Sequence, residues 1–358
     1  MNKIICAVIP AHNEEDTVEF AIMDLIYQSY RLHKIIVVDD FSTDNTSEVV
    51  ERMVEKYPNV IVFTRTTTHD LRAGAINTGL QYLQENIKDC DFVLCLDADS
   101  RFERHLVSQG AKSLESDDTI GGVCSIASVV KPAFTKSDGA IANVEKWILW
   151  RFQRLEYGGF DSTRTSTWKN VLILHGLCSM FRFSAITGVG GYQPNHLLED
   201  YKLTLQLKKA GWKTVFNPLM IAGTEPVDTL KRLARQRIRW MRGGIQIILE
   251  EGINKYTIED ALNHLLFMIL TVIVLITVAL QVAQFGWRFH LNTTFLPIAL
   301  AVTGYLFNLY NLRHVRNLNA LDVAIRAAIL PELLLAIFYS GLQVYSYALT
   351  ILKREQSW

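Results

Sequence analysis

Asp97 and Asp99 are separated by one small residue, Ala98, and follow directly on the apolar run at residues 92–96. A run of that length suits a buried strand, so both carboxylates are held at a strand's end. Two oxygen donors in that position suit a hard divalent cation that itself grips a diphosphate. A solvated strand end has the same local sequence, so the pair gains meaning only from the residues that accompany it.

The accompanying residues are polar groups at the ends of other apolar runs. Residues 4–9 read as a buried strand that leads into Pro10-Ala11-His12-Asn13-Glu14, and residues 35–38 as a second that ends at Asp39-Asp40. Ser42, Thr43 and Asp44 supply cap residues for a helix towards Lys56, and residues 60–63 read as a third strand. Strand and helix alternating at intervals of about thirty residues predict an α/β fold, a parallel sheet with helices on its faces. Ligands of such sheets sit outside the carboxyl ends of the strands. Pro10, Asp39 and Asp97 therefore share one edge, which fits a nucleotide-sugar site. There Asp39 or Asp40 accepts hydrogen bonds from base or ribose. Arg72 and Gly74 add a cation and a glycine at a predicted helix start, a setting that favours anionic ligands.

Further along, residues 123–130 read as a strand and 141–157 as a helix with Ile141, Val144, Ile148, Phe152 and Leu155 on one stripe. Trp147, Trp150, Lys146, Arg151 and Arg154 flank that stripe, as in helices lying at a membrane interface; an ordinary helix packed on the sheet is the alternative. Residues 161–169, rich in Ser and Thr, read as an exposed loop, and residues 171–174 as a return to the sheet before His175-Gly176. Gly188, Gly190 and Gly191 mark a tight turn before Tyr192. Glu199-Asp200 opens a helix that ends at Gly211, a place where acidic residues are favoured for helix reasons alone. Residues 228–242 form a basic helix with Lys231, Arg232, Arg235, Arg237, Arg239 and Arg242.

The 358 residues carry 36 basic and 36 acidic side chains, but the balance is uneven along the chain. No Asp, Glu, Lys or Arg lies between Asp260 and Arg288, or between Arg288 and Arg313. Each interval can hold a helix of about 20 residues, enough to span a bilayer. A third candidate, residues 327–352, contains Pro331 and Glu332. One charge costs about 2.5–3.5 kcal/mol at the bilayer centre, against roughly −0.3 to −0.6 kcal/mol from each Leu, Ile, Phe or Val, so insertion wins. Glu332 is then expected to face protein or water, with a tilted or re-entrant segment as the alternative. The expected organisation is a cytosolic domain at 1–227, a basic interface segment at 228–260, and a transmembrane region at 261–358 with spans near 262–285, 293–312 and 327–352. Two spans place Arg313 and Arg316 inside, whereas a third leaves Lys353 and Arg354 outside, against the positive-inside tendency. The five cysteines are scattered and odd in number, without metal spacing, which implies reduced thiols on a cytosolic face. The short apolar run before Pro10 predicts no signal peptide. Nucleic acid is not an expected partner.

Pro10-Ala-His-Asn-Glu14, Val38-Asp-Asp-Phe-Ser-Thr-Asp44, Arg72-Ala-Gly-Ala-Ile-Asn77, Asp97-Ala-Asp99, Glu199-Asp200 and Gln236-Arg-Ile-Arg-Trp240 occur in the order seen in family 2 glycosyltransferases, which the chain resembles over about residues 4–244. The last motif is similar to that of the membrane-embedded branch with cellulose, hyaluronan and poly-N-acetylglucosamine synthases. The resemblance implies a GT-A fold, Rossmann-like, and inverting transfer from a UDP-sugar with Mg2+ or Mn2+. By position, Asp39 and Asp40 would recognise the nucleoside, and Asp97 and Asp99 would hold metal and diphosphate. Asp200, beside Glu199, would be the general base, and Gln236, Arg239 and Trp240 would close over donor and acceptor. Pro10, Ala11, His12, Glu14, Arg72 and Ala98 would belong to the substrate-binding segments. Arg72 stands where the family often has Lys, and Leu198 where cellulose synthases have threonine.

The chemistry asks for the same residue types. Displacement at an anomeric carbon needs a carboxylate opposite the leaving diphosphate, a guanidinium such as Arg239 for the developing charge, and an indole such as Trp240 as a flat face for a sugar. The leading expectation is an integral membrane enzyme, its catalytic domain on the cytoplasmic face, extending a β-linked polysaccharide from UDP-N-acetylglucosamine or a related donor. Transfer of one sugar to a polyprenyl phosphate or other lipid acceptor is the alternative. Behind it stand an inactive sugar-nucleotide-binding adaptor and a soluble pyrophosphorylase, which would need neither basic helix nor spans. A channel would require a homo-oligomer or a secretion partner, because one chain has few spans.

Overall fold

The computed structural model describes residues 3–65, 71–135, 139–167, 170–194, 196–286 and 291–352. The chain forms two compact units, Met1–Gln236 and Arg237–Trp358. The first contains, in order, β1 (Ile5–Ala11), α1 (Val18–Ile26), β2 (Lys34–Asp39), α2 (Thr46–Lys56), β3 (Val60–Thr64), α3 (Leu71–Asn86), β4 (Phe92–Leu96), β5 (Ser100–Phe102), α4 (Leu106–Glu115), β6 (Ile120–Val129), α5 (Gly139–Ser166), β7 (Cys178–Arg182), α6 (Phe183–Gly188), α7 (Glu199–Lys209) and β8 (Lys213–Thr224). The basic helix α8 (Leu230–Glu251) runs across the division, and the second unit adds α9 (Ile258–Phe285), α10 (Leu291–Asn311), α11 (Ala320–Ala327) and α12 (Ile329–Ile351).

The strands form one eight-stranded sheet among the described residues, in the order β3-β2-β1-β4-β7-β6-β8-β5. Its central strand β1 is apolar on both faces because both are covered. Ile5, Ala7 and Ile9 pack with Val18, Ile22, Val50 and Leu106 on one side. Cys6 and Val8 pack with Ala73, Ile76, Leu80 and Leu203 on the other. The period-two alternation of a strand thus supplies two cores from one run.

The sheet is mixed and not wholly parallel. β3, β2, β1 and β4 run parallel, as the strand and helix alternation predicts, but β7 enters antiparallel between β4 and β6. A short buried apolar run reads the same in either direction, so its sense depends on the connection. Here that connection is the long α5. The expected strand at residues 171–174 is absent: Val171 and Leu174 are buried in the second core, and the sheet resumes only at Cys178. Leu174 N donates to the Thr204 Oγ1 hydroxyl of α7 at 2.9 Å and not to a neighbouring strand, so apolarity here marks core burial. The expected loop at 161–169 is helical as far as Ser166, while residues 168 and 169 lie outside the described residues. Its hydroxyls bond back along the helix, Thr165 Oγ1 to the Asp161 carbonyl at 2.7 Å and Ser166 Oγ to the Thr163 carbonyl at 2.7 Å, so polar composition does not break it.

In the second unit, Ile258–Gln284 and Ile329–Ile351 are long and apolar enough to cross a membrane, among the described residues. The middle interval, expected to span near 293–312, is helical as α10. Glu332 faces protein, with Arg326 Nη1 at 2.7 Å from Oε1 and Asn308 Nδ2 at 3.1 Å from Oε2. Lys353 and Arg354 lie outside the described residues.

Asn77 fastens α3 to the turn before α7. Its Nδ2 donates to the Tyr192 carbonyl at 2.7 Å and its Oδ1 accepts from Tyr192 N at 2.9 Å. Gly191 completes the turn at φ +73, and a Cβ there would stand 2.5 Å from Asn77 Oδ1. Both the conformation and the approach therefore require glycine. Asn77→Ala, which strands two backbone groups of a buried residue, should cost about 2 kcal/mol or more, and Gly191→Ala a similar amount. Denaturant unfolding of the purified variants checks this; an unchanged midpoint contradicts it.

Candidate active site

Arg72, in the first turn of α3, joins three segments that are remote in sequence. Its Nε donates to Asp97 Oδ1 at 2.7 Å, Nη1 to Glu199 Oε1 at 2.9 Å, and Nη2 to the Gly176 carbonyl at 2.7 Å. Those partners sit at the end of β4, at the start of α7 and just before β7. A planar fork reaches all three at once, which an ammonium does less well. The Tyr192 ring lies 5.8 Å from the guanidinium carbon, and the neighbouring carboxylates raise the pKa of Arg72 against the opposing effect of partial desolvation. Gly176 must be small here, since a Cβ would meet Arg72 Nη2 at 2.9 Å.

The same glycine holds Asp200. Gly176 N donates to Asp200 Oδ2 at 3.0 Å, and Tyr201 N donates to Oδ1 at 2.8 Å. Burial, and then the charge of Glu199, push the Asp200 carboxyl up to about 6, with Arg72 and the two backbone donors pulling against them. Asp200 is thus a carboxylate able to exchange a proton near neutral pH, on a different element from Asp97 and Asp99.

Asp99 lies in a negative field. Burial, then Asp97, then Glu14 raise its carboxyl to about 7, and Glu225 adds to the effect. Ser100 Oγ at 3.2 Å and Thr224 Oγ1 at 3.4 Å are its hydrogen-bond donors. Between the two carboxylates Ala98 is buried in the core and anchors the turn. Among the described residues no group of three or more His, Cys, Asp or Glu side chains gathers as a protein-only metal cage. Two half-buried carboxylates with little positive charge beside Asp99 nevertheless fit a magnesium- or manganese-sized cation, which commonly keeps waters and takes the remaining oxygens from substrate phosphates.

The loops after β1 and β2 are laced together beside this edge. His12 Nδ1 donates to the Asp40 carbonyl at 2.8 Å, and Asn13, at φ +56, accepts from Thr43 N at 2.7 Å. Glu14 N donates to Thr46 Oγ1 at 2.7 Å, and burial raises the Glu14 carboxyl. Asp39 is fully buried and holds its own loop, accepting from Ser42 N at 3.0 Å and from Ser47 Oγ. Asp40 pairs with Arg65 at 2.8 Å, and burial still raises its carboxyl. Pro10 and Ala11 end β1 next to Val38 and Asp39 in register.

The fold therefore brings Asp97, Glu199 and Arg72 into direct contact, links Asp200 to them through Gly176, and sets Asp99 beside Glu14. Asp39 and Asp40 are engaged with their own loop and with Arg65. Gln236 is the last residue of the first unit, whereas Arg239 and Trp240 belong to the second, where Arg237 lies 4.1 Å over the Trp240 ring. Gly176 and Glu225 were not singled out by sequence. Gly176 follows His175 in a run with no motif spacing, and Glu225 reaches the site only through the pairing of β8 with β6 and β5.

A parallel half-sheet, an antiparallel β7 and carboxylates on two elements at its carboxyl edge define a GT-A glycosyltransferase fold. The chain belongs to glycosyl transferase family 2, described as "Glycosyl transferase family 2", which matches residues 6–190. It is 25% identical over 250 residues to the poly-beta-1,6-N-acetyl-D-glucosamine synthase of Staphylococcus aureus (strain MSSA476). It is 30% identical over 254 residues to the probable glycosyltransferase YdaM of Bacillus subtilis (strain 168). Each alignment covers 69% of this chain but only 56% of the relative, so the chain spans little more than half their length. In fold it resembles the mannosyltransferase PcManGT from Pyrobaculum calidifontis, solved with GDP-Man and Mn2+, at TM-score 0.54 and 18% identity, covering 99% of this chain and 89% of that one. It also resembles S. aureus TarS 1–349 in complex with UDP, at TM-score 0.50 and 14% identity, covering 99% and 93% of the respective chains.

Arg72→Ala should destabilise the first unit by about 2 kcal/mol, because two half-buried carboxylates and a carbonyl lose their donors. Arg72→Lys should recover only part of this. Denaturant unfolding of the three proteins checks the order, and a lysine variant as stable as the parent contradicts the need for a fork.

Proposed function

We propose that this chain is a membrane-associated inverting glycosyltransferase that moves a sugar from a UDP-sugar, N-acetylglucosamine or a close relative, onto a growing β-linked polysaccharide. One observation carries the reading: a single guanidinium, that of Arg72, bonds Asp97 on the proposed diphosphate side and Glu199 beside the proposed base, Asp200. Donor end and acceptor end thereby lie within one side chain's reach. The relatives named as N-acetylglucosamine polymer synthases support the sugar, and the UDP complex of the structural neighbour TarS supports the nucleotide. The two long apolar helices support membrane association.

In this reading Asp97 and Asp99 hold a divalent cation, Mg2+ or Mn2+, which when bound supplies positive charge against the diphosphate leaving group. Mn2+ in the PcManGT complex is consistent with that assignment. Asp200 accepts the proton of the acceptor hydroxyl as the new bond forms on the face opposite UDP. Gly176 N and Tyr201 N fix both Asp200 oxygens, so its orientation is set before substrate arrives. Asp39 and Asp40, with the loops from Pro10 to Glu14, border the nucleoside. Gln236, Arg239 and Trp240 act on the donor phosphate and the acceptor sugar. No covalent nucleophile is needed. The five cysteines are free and buried, as that chemistry allows.

The test is incubation of the detergent-purified full chain with Mg2+ or Mn2+ and a panel of radiolabelled UDP-sugars, followed by separation of products by size and solvent. Label in high-molecular-weight, enzyme-digestible glycan from UDP-N-acetylglucosamine supports the proposal; label confined to an organic-extractable fraction replaces the acceptor with a lipid; no transfer from any donor overturns it.

Asp200→Asn should leave UDP affinity near that of the parent while lowering kcat at least a hundredfold, and Asp99→Asn should weaken cation-dependent UDP binding itself. Turnover by Asp200→Asn equal to the parent's removes Asp200 from the base role. The pH profile follows from the raised carboxyl. Below about 6 Asp200 keeps its proton and cannot take another, so kcat/KM should climb with pH through that region and level off above it. A profile flat from pH 5 to 8 contradicts the assignment.

A further inference from the structure

Residues 174–177, between α5 and β7, belong to no helix or strand, yet their backbone meets each part of the site. Leu174 N donates to Thr204 Oγ1 at 2.9 Å, and that hydroxyl donates to the Asp200 carbonyl at 2.7 Å. Gly176 holds the Asp200 carboxylate with its amide and Arg72 with its carbonyl, and the Leu177 carbonyl accepts from Asp97 N at 3.2 Å. The proposed base, the guanidinium fork and the diphosphate side are thus spaced by one short stretch of chain.

The one polar side chain in that stretch, His175, is committed to the sheet. It is 8% exposed, and its Nε2 lies 2.8 Å from the Ser125 carbonyl on β6. A carbonyl only accepts, so Nε2 carries the proton and donates. Nδ1 is then an acceptor, and among the described residues nothing donates to it. Protonating Nδ1 would create a buried donor without an acceptor, facing the charges of Arg164 and Arg72. Burial, and then Arg164, accordingly push the imidazole down to about 3, so His175 stays neutral near neutral pH and moves no proton. From β7, Ser179 Oγ donates to the His175 carbonyl at 2.8 Å. One residue is thereby tied to two strands that pair with each other, and Gly176 is next in the chain.

We propose that His175 is a positioning residue: its bond to β6 fixes Gly176, and through Gly176 it orients the Asp200 carboxylate toward the acceptor hydroxyl. The inference rests on the base role proposed above for Asp200. A bond that served the fold alone would leave the proton affinity of Asp200 unchanged, whereas this one reaches it. The groups facing that carboxylate are Glu199 on its own helix, Arg72 on α3, Tyr192 in the preceding turn, and the amides of Tyr201 and Gly176. Of these, the Gly176 amide and Arg72 both favour the ionised form, and both are held by Gly176. Releasing Gly176 loosens the two together, so the carboxyl should rise above its present value of about 6.

The test compares three variants of the detergent-purified full chain with the parent. His175→Leu keeps the bulk without a donor, His175→Gln carries an amide that donates to the same carbonyl, and Ser179→Ala frees the His175 carbonyl with little change of volume. In His175→Leu kcat should fall by about tenfold to a hundredfold while UDP affinity stays near the parent's, as for a misplaced reacting group. Its kcat/KM midpoint should move to higher pH, and His175→Gln should restore both quantities. Ser179→Ala should change them in the same direction and carries the comparison if His175→Leu does not fold. Hydrogen exchange at the Gly176 amide, read by mass spectrometry, follows the clamp without turnover and should be faster in His175→Leu than in the parent or His175→Gln. A fall in kcat with the pH midpoint unmoved assigns His175 to the fold alone and overturns the proposal, as does parent-like turnover or Gly176 exchange in His175→Leu, or in Ser179→Ala where that variant stands in. A parent that transfers no sugar overturns the reaction proposed above, and Gly176 exchange alone then decides the clamp.

Discussion

The first unit depends on the placement of one half-buried guanidinium. Arg72 stands on a helix, yet its hydrogen bonds end on the loop after β4, on the start of α7 and on the carbonyl before β7. These segments lie more than a hundred residues apart at the extremes, and nothing local brings them together. The cost of partly desolvating that charge is offset because each bond meets a full negative charge or a carbonyl oxygen. Gly176 is the other half of the device, its carbonyl on Arg72 and its amide on Asp200.

Around that centre the edge of the sheet is electrostatically divided. Arg72 neutralises the side of Asp97 and Glu199, while Asp99 remains in the field of Asp97, Glu14 and Glu225 with its carboxyl raised. Like charges gathered around Asp99, with no ion pair to it among the described residues, disfavour its ionised form, and the proposed cation, bound with the diphosphate, would relieve that repulsion. The loops after β1 and β2 are rigid by contrast, because Asn13, Glu15, Asp39 and Asp44 spend their side chains on neighbouring backbone and hydroxyl groups. The acidic pair Asp39-Asp40 therefore shapes the loop at least as much as it presents charge.

Much of the first unit was legible in the sequence because the strands are short apolar runs that end at polar residues. β4 spans the predicted residues, and β1, β2 and β3 differ by one or two at their ends. Strand direction was not legible, since β7 is as apolar as a parallel strand. Nor was the difference between core and strand at Val171 and Leu174, where burial without a ladder leaves the same residue types. The Ser- and Thr-rich end of α5 misled for a local reason, the hydroxyls of Thr163, Thr165, Ser166 and Thr167 bonding a carbonyl about one turn back. Of the site, the carboxylates were visible from spacing and order, whereas the partners of Arg72 were not: a cation at a helix start predicts an anion, and only the folded chain shows that the anions are Asp97 and Glu199. Glu332 was legible as a buried charge needing company, and the company is Arg326 and Asn308.

The central claim is a single displacement, with the proposed leaving diphosphate at Asp97 and Asp99 and the base at Asp200 on a separate element. The most direct measurement is the anomeric configuration of the bond formed from an α-configured UDP-sugar, read by proton NMR on the product of the full chain. One displacement predicts a β-linkage. An α-linkage would mean either two displacements or departure and attack on the same face, and would contradict the account.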